Sequence, residues 1–144
     1  MYRKLLSFSF IAVALTLGII WYIEIAFPMD VRSYLRIGFY QQFGHIAIAV
    51  ELLIAGIHLW LNHEKTNFTM ALFGFTAVLD PILNYSGVLS SSVPVYGTII
   101  FLCFAVISFW IAFTNAFDSG KISITSVAAT FILGIAIELF FNYL

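Results

Sequence analysis

Five apolar stretches, each about twenty residues long, follow one another along this chain with only short polar breaks between them. They cover about residues 5–27, 39–61, 67–88, 95–117 and 122–144. The hydrocarbon core of a bilayer is about 30 Å thick, and about 20 helical residues cross it. The sequence therefore predicts an all-α polytopic membrane protein, a five-transmembrane-helix bundle with antiparallel neighbours and short loops. We expect residues 1–144 to form a single transmembrane domain.

The composition excludes several classes of protein. Hydrophobic residues make up 62% of the 144 residues and charged residues only 9%, whereas a soluble domain carries about 25% charged residues. The net charge of −1 provides no basic surface for nucleic acid. One cysteine excludes an internal disulfide and a thiolate metal cage. The first stretch ends in the bulky residues WYIEIAFP, so we interpret it as a retained span and not a removable signal.

The short loops predict how the chain is oriented. Arg3, Lys4, Lys65 and Lys121 fall on one side of the predicted bundle, and Arg32 and Arg36 fall on the other. Cytoplasmic loops of membrane proteins carry an excess of Lys and Arg. The pattern predicts a cell-membrane protein with a cytoplasmic N-terminus and an external C-terminus.

Four of the predicted spans contain an ionisable residue at a similar depth. Counted along each helix at about 1.5 Å per residue, these residues lie about 5–12 Å below the external boundary. They are Glu24, His45, Asp80 and Glu138. Charged side chains at such a depth usually face the bundle interior and pair with one another. We therefore expect Asp80 to be buried within reach of Glu138 or His45.

Helical phase adds an amide to three of these residues. Gln41, Asn84 and Asn142 each lie one turn from an ionisable side chain. The predicted polar cluster is therefore Glu24, Gln41, His45, Asp80, Asn84, Glu138 and Asn142. Pro81 lacks a backbone N–H and leaves the carbonyl of Ala77 without its helical partner. Such a break is tolerated where protein or a water-filled cavity covers it.

The second span carries another polar stripe, and the fourth carries none. Glu51 and His58 share one face of the second span, and His45 lies about 120° from Glu51 at about 100° per residue. We expect this second stripe to face a partner subunit. The fourth span has no charged residue before Asp118. We expect it to be the most lipid-exposed or partner-facing helix.

The predicted cluster allows three kinds of site. It is a hydrogen-bonded structural network of neutral acids, a metal or acid–base site, or an ion or proton pathway. His45, Asp80 and Glu138 together could hold a single hard or borderline metal ion. Haem is disfavoured, because His45 and His58 are about 140° apart on one helix and no other span contains a histidine.

The sequence carries no nucleophile motif and no phosphate-binding glycine loop. Our first hypothesis is a small integral membrane subunit of a larger complex, of the respiratory or metal-dependent oxidase or monooxygenase type. Its partners would be the lipid bilayer and other membrane subunits. The alternatives are a stand-alone intramembrane enzyme on a lipid-like substrate, with Asp80 and Glu138 as acid and base, and a proton- or cation-coupled transporter.

Overall fold

The computed structural model describes residues 1–36, 39–40, 42–88 and 93–143, and the side chains of these residues as far as 141. This part of the chain is helical and contains no strand. Its helices are α1 (Tyr2–Ile23), α2 (Val31–Tyr34), α3 (Gly44–Leu61), α4 (Thr66–Tyr85), α5 (Val95–Thr114) and α6 (Ile124–Tyr143). All except the short α2 are long and apolar enough to cross a membrane. The predicted five-helix membrane fold is confirmed.

Local backbone chemistry ends several of the helices. α3 and α5 stop at Asn62 and Asn115, which have positive φ values of 51° and 49°. Asparagine tolerates this left-handed conformation at the C-terminus of a helix. α1 ends at Ile23, so the segment before Pro28 is not helical although it is apolar. Proline disfavours helical geometry in the residue that precedes it.

α4 is the central helix of the bundle. It packs against α3, α5 and α6, while α1 packs against α3. Small residues allow the helices to approach closely at these crossings, as is common in membrane bundles. Gly56 of α3 lies against Phe10 and Ile11 of α1, and Gly74 of α4 lies against Phe109 of α5. These contacts leave no room for larger residues at either glycine.

One end of the bundle gathers four of the six basic residues. The Lys4 Nζ lies 5.6 Å from the centre of the Trp60 ring, which joins the start of α1 to the end of α3. The Asn67 amide donates to Asn115 Oδ1 and to the Gly120 carbonyl, which ties the start of α4 to the α5–α6 connection. Arg3, Lys4, Lys65 and Lys121 therefore share one end, as the loop pattern predicts.

The most exposed helix is α6, so the fourth span is not the most lipid-exposed helix, as one alternative of the prediction had it. In their most apolar windows, 17% of the residues of α6 are buried, against 33% of those of α5. The described residues of α6 are buried only at Thr130, Gly134 and Glu138, one narrow stripe facing α4. α5 covers more of α4 and also meets α1 through Trp21.

Candidate intramembrane carboxyl site

Asp80 and Glu138 form a buried pair between α4 and α6. Their side chains are 4% and 3% exposed, and a hydrogen bond joins the two carboxyl groups. Gly134, one turn before Glu138, lets the helices approach, since a Cβ atom there would lie only 3.3 Å from the Thr76 hydroxyl oxygen. The shared depth of the two acids in the sequence correctly predicts this contact.

A hydrogen bond between two carboxyl groups requires a proton. An ionised carboxylate only accepts hydrogen bonds, so one member of the Asp80–Glu138 pair must be protonated to donate. Two like charges held this closely in an apolar interior would also repel each other strongly. A proton shared by Asp80 and Glu138 would relieve this repulsion and would let one carboxyl group donate to the other.

Glu51 of α3 is the third acid of this site. It lies near enough to Glu138 for their charges to interact, and both of its carboxyl oxygens are buried. The neighbouring Thr76 hydroxyl donates to the Leu72 carbonyl, with 2.9 Å between the oxygens. Within the part of the chain that the structure describes, neither carboxyl oxygen of Glu51 has a hydrogen-bond partner. We call Glu51, Asp80 and Glu138 the carboxyl site.

The helices that form the carboxyl site carry no Lys or Arg. None of the six Lys and Arg residues lies within α3, α4, α5 or α6. α5 contains no charged residue, and α1 contributes only Arg3 and Lys4, both in its first turn. A negative charge at the site therefore has no Lys or Arg on these helices to neutralise it, and charges inside a membrane are costly.

A cleft of about 530 Å³ lies beside Glu51, between α3 and α6. Its walls are almost entirely apolar, and Glu51 is the only acid among the described residues that line it. The outer side of the cleft is open. Because α3 and α6 touch each other only slightly, a molecule dissolved in the bilayer could enter between them.

His45 and Glu24 lie close together near the end of α1. His45 is buried as predicted, whereas Glu24 is exposed. The buried His45 ring meets Trp21 edge to face, with 4.9 Å between ring centres. Glu24 is close enough to His45 for their charges to interact. Glu24 itself is exposed and caps the end of α1, so it is not inside a membrane-spanning helix. The predicted span was too long there because hydropathy does not register the helix end before Pro28.

Only one of the three amides of the predicted cluster, Asn84, has a described side chain. Asn84 lies exposed in the last turn of α4. Gln41 and the side chain of Asn142 lie outside the described residues. The structure does not bring the three predicted metal ligands together as one site; they are His45, Asp80 and Glu138. Among the described residues, no three His, Cys, Asp or Glu side chains are grouped so that they could hold a metal ion.

The residues of the second polar stripe have neighbours inside the bundle. Glu51 is directed towards Glu138 and Thr76. The His58 Nδ1 lies 3.2 Å from the Thr69 hydroxyl oxygen, and its ring stacks on His63 with 4.6 Å between ring centres. Both stripes of α3 are used internally, because α3 has α1 on one side and α4 on another. Sequence reasoning missed Glu51 as a member of the site for this reason.

Comparison with known proteins adds no further assignment. No family model matches the chain, and no curated protein or solved structure is significantly similar to it. The functional argument therefore depends on the residues of the carboxyl site and on the cleft beside it.

Proposed function

We propose that this integral membrane protein is a proton-coupled carrier whose proton-binding element is the carboxyl site. The observation that carries this proposal is the hydrogen bond between the buried Asp80 and Glu138 carboxyl groups. A carrier needs a group that takes up and gives up a proton inside the membrane, and intramembrane acids commonly form such relays.

A purely structural role accounts less well for three acids. Each charged residue at mid-membrane costs at least about 2.5–3.5 kcal/mol on insertion scales. Amides or hydroxyls could join the same helices by hydrogen bonds at a lower cost. Three acids on three packed helices, with no Lys or Arg inside those helices, favour a site that exchanges protons or cations.

Infrared spectroscopy tests this proposal directly. Spectra of the purified protein in lipid would be compared between about pH 5 and about pH 9, a range that covers shifted carboxyl groups. We expect a carbonyl band of a protonated carboxylic acid to appear and disappear across this range. The band should be altered in Asp80→Asn and in Glu138→Gln. It should be unchanged in the control variant Glu64→Gln, because Glu64 is exposed in a loop.

A carboxyl band that does not change with pH would contradict the proposal, because a carrier must release its proton. The same conclusion would follow if the band changed with pH identically in the wild type and in both variants of the pair. The acid that titrates would then lie elsewhere in the protein.

A second candidate function is that of a subunit in a larger membrane complex, such as an oxidase or monooxygenase assembly. The observation that favours it is the exposure of α6, which uses only one narrow stripe of its surface within the bundle. Purification in a mild detergent tests this candidate. A subunit should be recovered with other membrane chains in fixed stoichiometry, whereas recovery of this chain alone would contradict it.

A further inference from the structure

We propose that the cleft beside Glu51 binds lipophilic monocations, specifically amphiphilic primary ammonium ions, in exchange for a proton. This inference rests on the proposed carrier function and names its substrate class. It is argued from the shape of the cleft, from the state of the Glu51 carboxyl group and from the charges around it.

The cleft has the size and lining of a site for a small apolar molecule. Its volume of about 530 Å³ falls within the range of about 300–1,000 Å³ that is usual for ligand sites. Phe39, Tyr40 and Phe43 line one part of it, and Val50 and Ile137 lie on opposite helices. An alkyl chain is well matched to these walls, and aromatic rings also stabilise ammonium groups.

The Glu51 carboxyl group supplies the polar recognition element. Both of its oxygens are buried and have no hydrogen-bond partner among the described residues. An unsatisfied buried acceptor costs about 1–3 kcal/mol, and more if it is charged. A ligand that donates a hydrogen bond would remove this cost. A neutral alcohol would satisfy one oxygen, but an ammonium ion would also neutralise the carboxylate.

The surrounding charges favour the ammonium ion over the alcohol. The titratable groups that face Glu51 from the packed helices are Glu138 and, through its hydrogen bond to Glu138, Asp80. Both are acids, and no Lys or Arg lies within α3, α4, α5 or α6. A cation in the cleft would therefore meet only negative or neutral groups.

The exchange is balanced in charge and in atoms. The neutral Glu51 acid gives its proton to water, and the resulting carboxylate pairs with the entering ammonium ion. No covalent bond other than the carboxyl O–H breaks. One proton leaves the site for each cation that enters, so proton and cation compete for Glu51.

Proton release provides a direct test. Octylammonium would be added to the purified protein in weakly buffered nanodiscs, and both heat and pH would be recorded, with octanol as the neutral control. We expect saturable octylammonium binding with about one proton released per cation, and no saturable binding of octanol. Glu51→Gln should weaken octylammonium binding by at least about tenfold, a change of about 1.4 kcal/mol.

Two further variants separate the cleft from the rest of the surface. Val50 and Ile54 are both partly exposed on α3, but only Val50 lines the cleft. Val50→Trp should therefore block octylammonium binding, while Ile54→Trp should leave it unchanged. Both variants can be checked for wild-type helix content and thermal stability before binding is measured.

Several results would overturn the inference. Equal binding of octanol, an unchanged affinity in Glu51→Gln, or binding without proton release would each contradict cation–proton exchange at this residue. Infrared spectra of the same samples separate this failure from that of the carrier proposal. A carboxyl band that responds to pH without any ammonium binding leaves the carrier proposal intact and shows the substrate class to be wrong.

Discussion

Several polar side chains inside the bundle are paired with partners on other helices. The buried Trp21 indole donates to the Tyr96 hydroxyl with a distance of 2.9 Å, and Asp80 is hydrogen-bonded to Glu138. Buried polar groups are normally satisfied in this way. The exceptions among the described side chains on the membrane-spanning helices are Glu51, Ser108 and the side-chain carbonyl oxygen of Asn67. The unsatisfied Glu51 lies beside the cleft, which is consistent with a role in binding.

The Trp21–Tyr96 hydrogen bond should contribute measurably to stability. In Tyr96→Phe, the Trp21 N–H, on a side chain only 1% exposed, would lose its acceptor. We expect a loss of about 1–3 kcal/mol, the usual cost of an unsatisfied buried donor, measured by unfolding in detergent. Tyr85→Phe is the control, because Tyr85 is 85% exposed. Equal stability of the two variants would contradict this assignment.

Asp80 should be more important for proton binding than for folding. In Asp80→Asn, the amide can still donate a hydrogen bond to Glu138, so we expect a stability loss of about 1 kcal/mol or less. The infrared carboxyl response should nevertheless be changed. Thermal unfolding and the pH-dependent spectra measure the two effects on one sample. A stability loss above about 3 kcal/mol would instead indicate that the carboxyl group is needed to assemble the bundle.

Helix pairs in this protein meet where one of them carries a small residue. α1 crosses α3 at Gly56, where a Cβ atom would lie 2.9 Å from the Phe10 Cβ and 3.2 Å from a backbone nitrogen. α6 meets α4 at Gly134, beside Thr76. Without a hydrophobic drive between helices in lipid, close van der Waals contact is a main source of association. The glycines therefore determine which faces pack.

The α1–α3 crossing should not tolerate an added methyl group. We expect Gly56→Ala to destabilise the protein by about 1–3 kcal/mol, the usual range for overpacking, because the backbone of α1 would have to move. Gly18→Ala is a matched control, since no atom lies within 4 Å of a Cβ placed there. Unfolding in detergent would measure both. If Gly56→Ala were as stable as the wild type or more stable, α1 and α3 could move apart without loss of stability, which would contradict this prediction.

At the scale of the whole molecule, the distribution of basic residues distinguishes the two ends. Arg3, Lys4, Lys65 and Lys121 lie at one end, where Lys4 meets Trp60 and Asn67 joins Gly120. At the other end, Gln42 is hydrogen-bonded to the backbone of Ala26. Four basic residues against two predict that the first end is cytoplasmic.

A reporter that is active only in the external compartment should therefore be active when it is fused after Leu144. The same reporter fused before Met1 should be inactive, since an odd number of spans places the termini on opposite sides. Activity of both fusions would contradict the five-span topology. Activity of the N-terminal fusion alone would reverse the orientation and leave the helix count intact. Moving the basic residues of Arg3 and Lys4 to the other end is expected to weaken the preference.

The sequence by itself determined the five spans and the depth of the acids. Hydrocarbon thickness sets a span of about 20 apolar residues, which can be counted without any knowledge of the fold. Depth follows from position along each helix, so the meeting of Asp80 and Glu138 was predictable. The helix end at Ile23 was not recognised, because apolar residues continue beyond it as far as Pro28.

Only the tertiary structure decided which faces of the helices meet. Periodicity places Glu51 and His45 on different faces of α3, but it does not say how many neighbours α3 has. α3 has α1 on one side and α4 on another, and Glu51 lies near Glu138, which is paired with Asp80. The exposure of α6 was decided in the same way. An apolar helix face is equally compatible with lipid and with another helix. Close packing at small residues such as Gly134 therefore determines which faces contact each other.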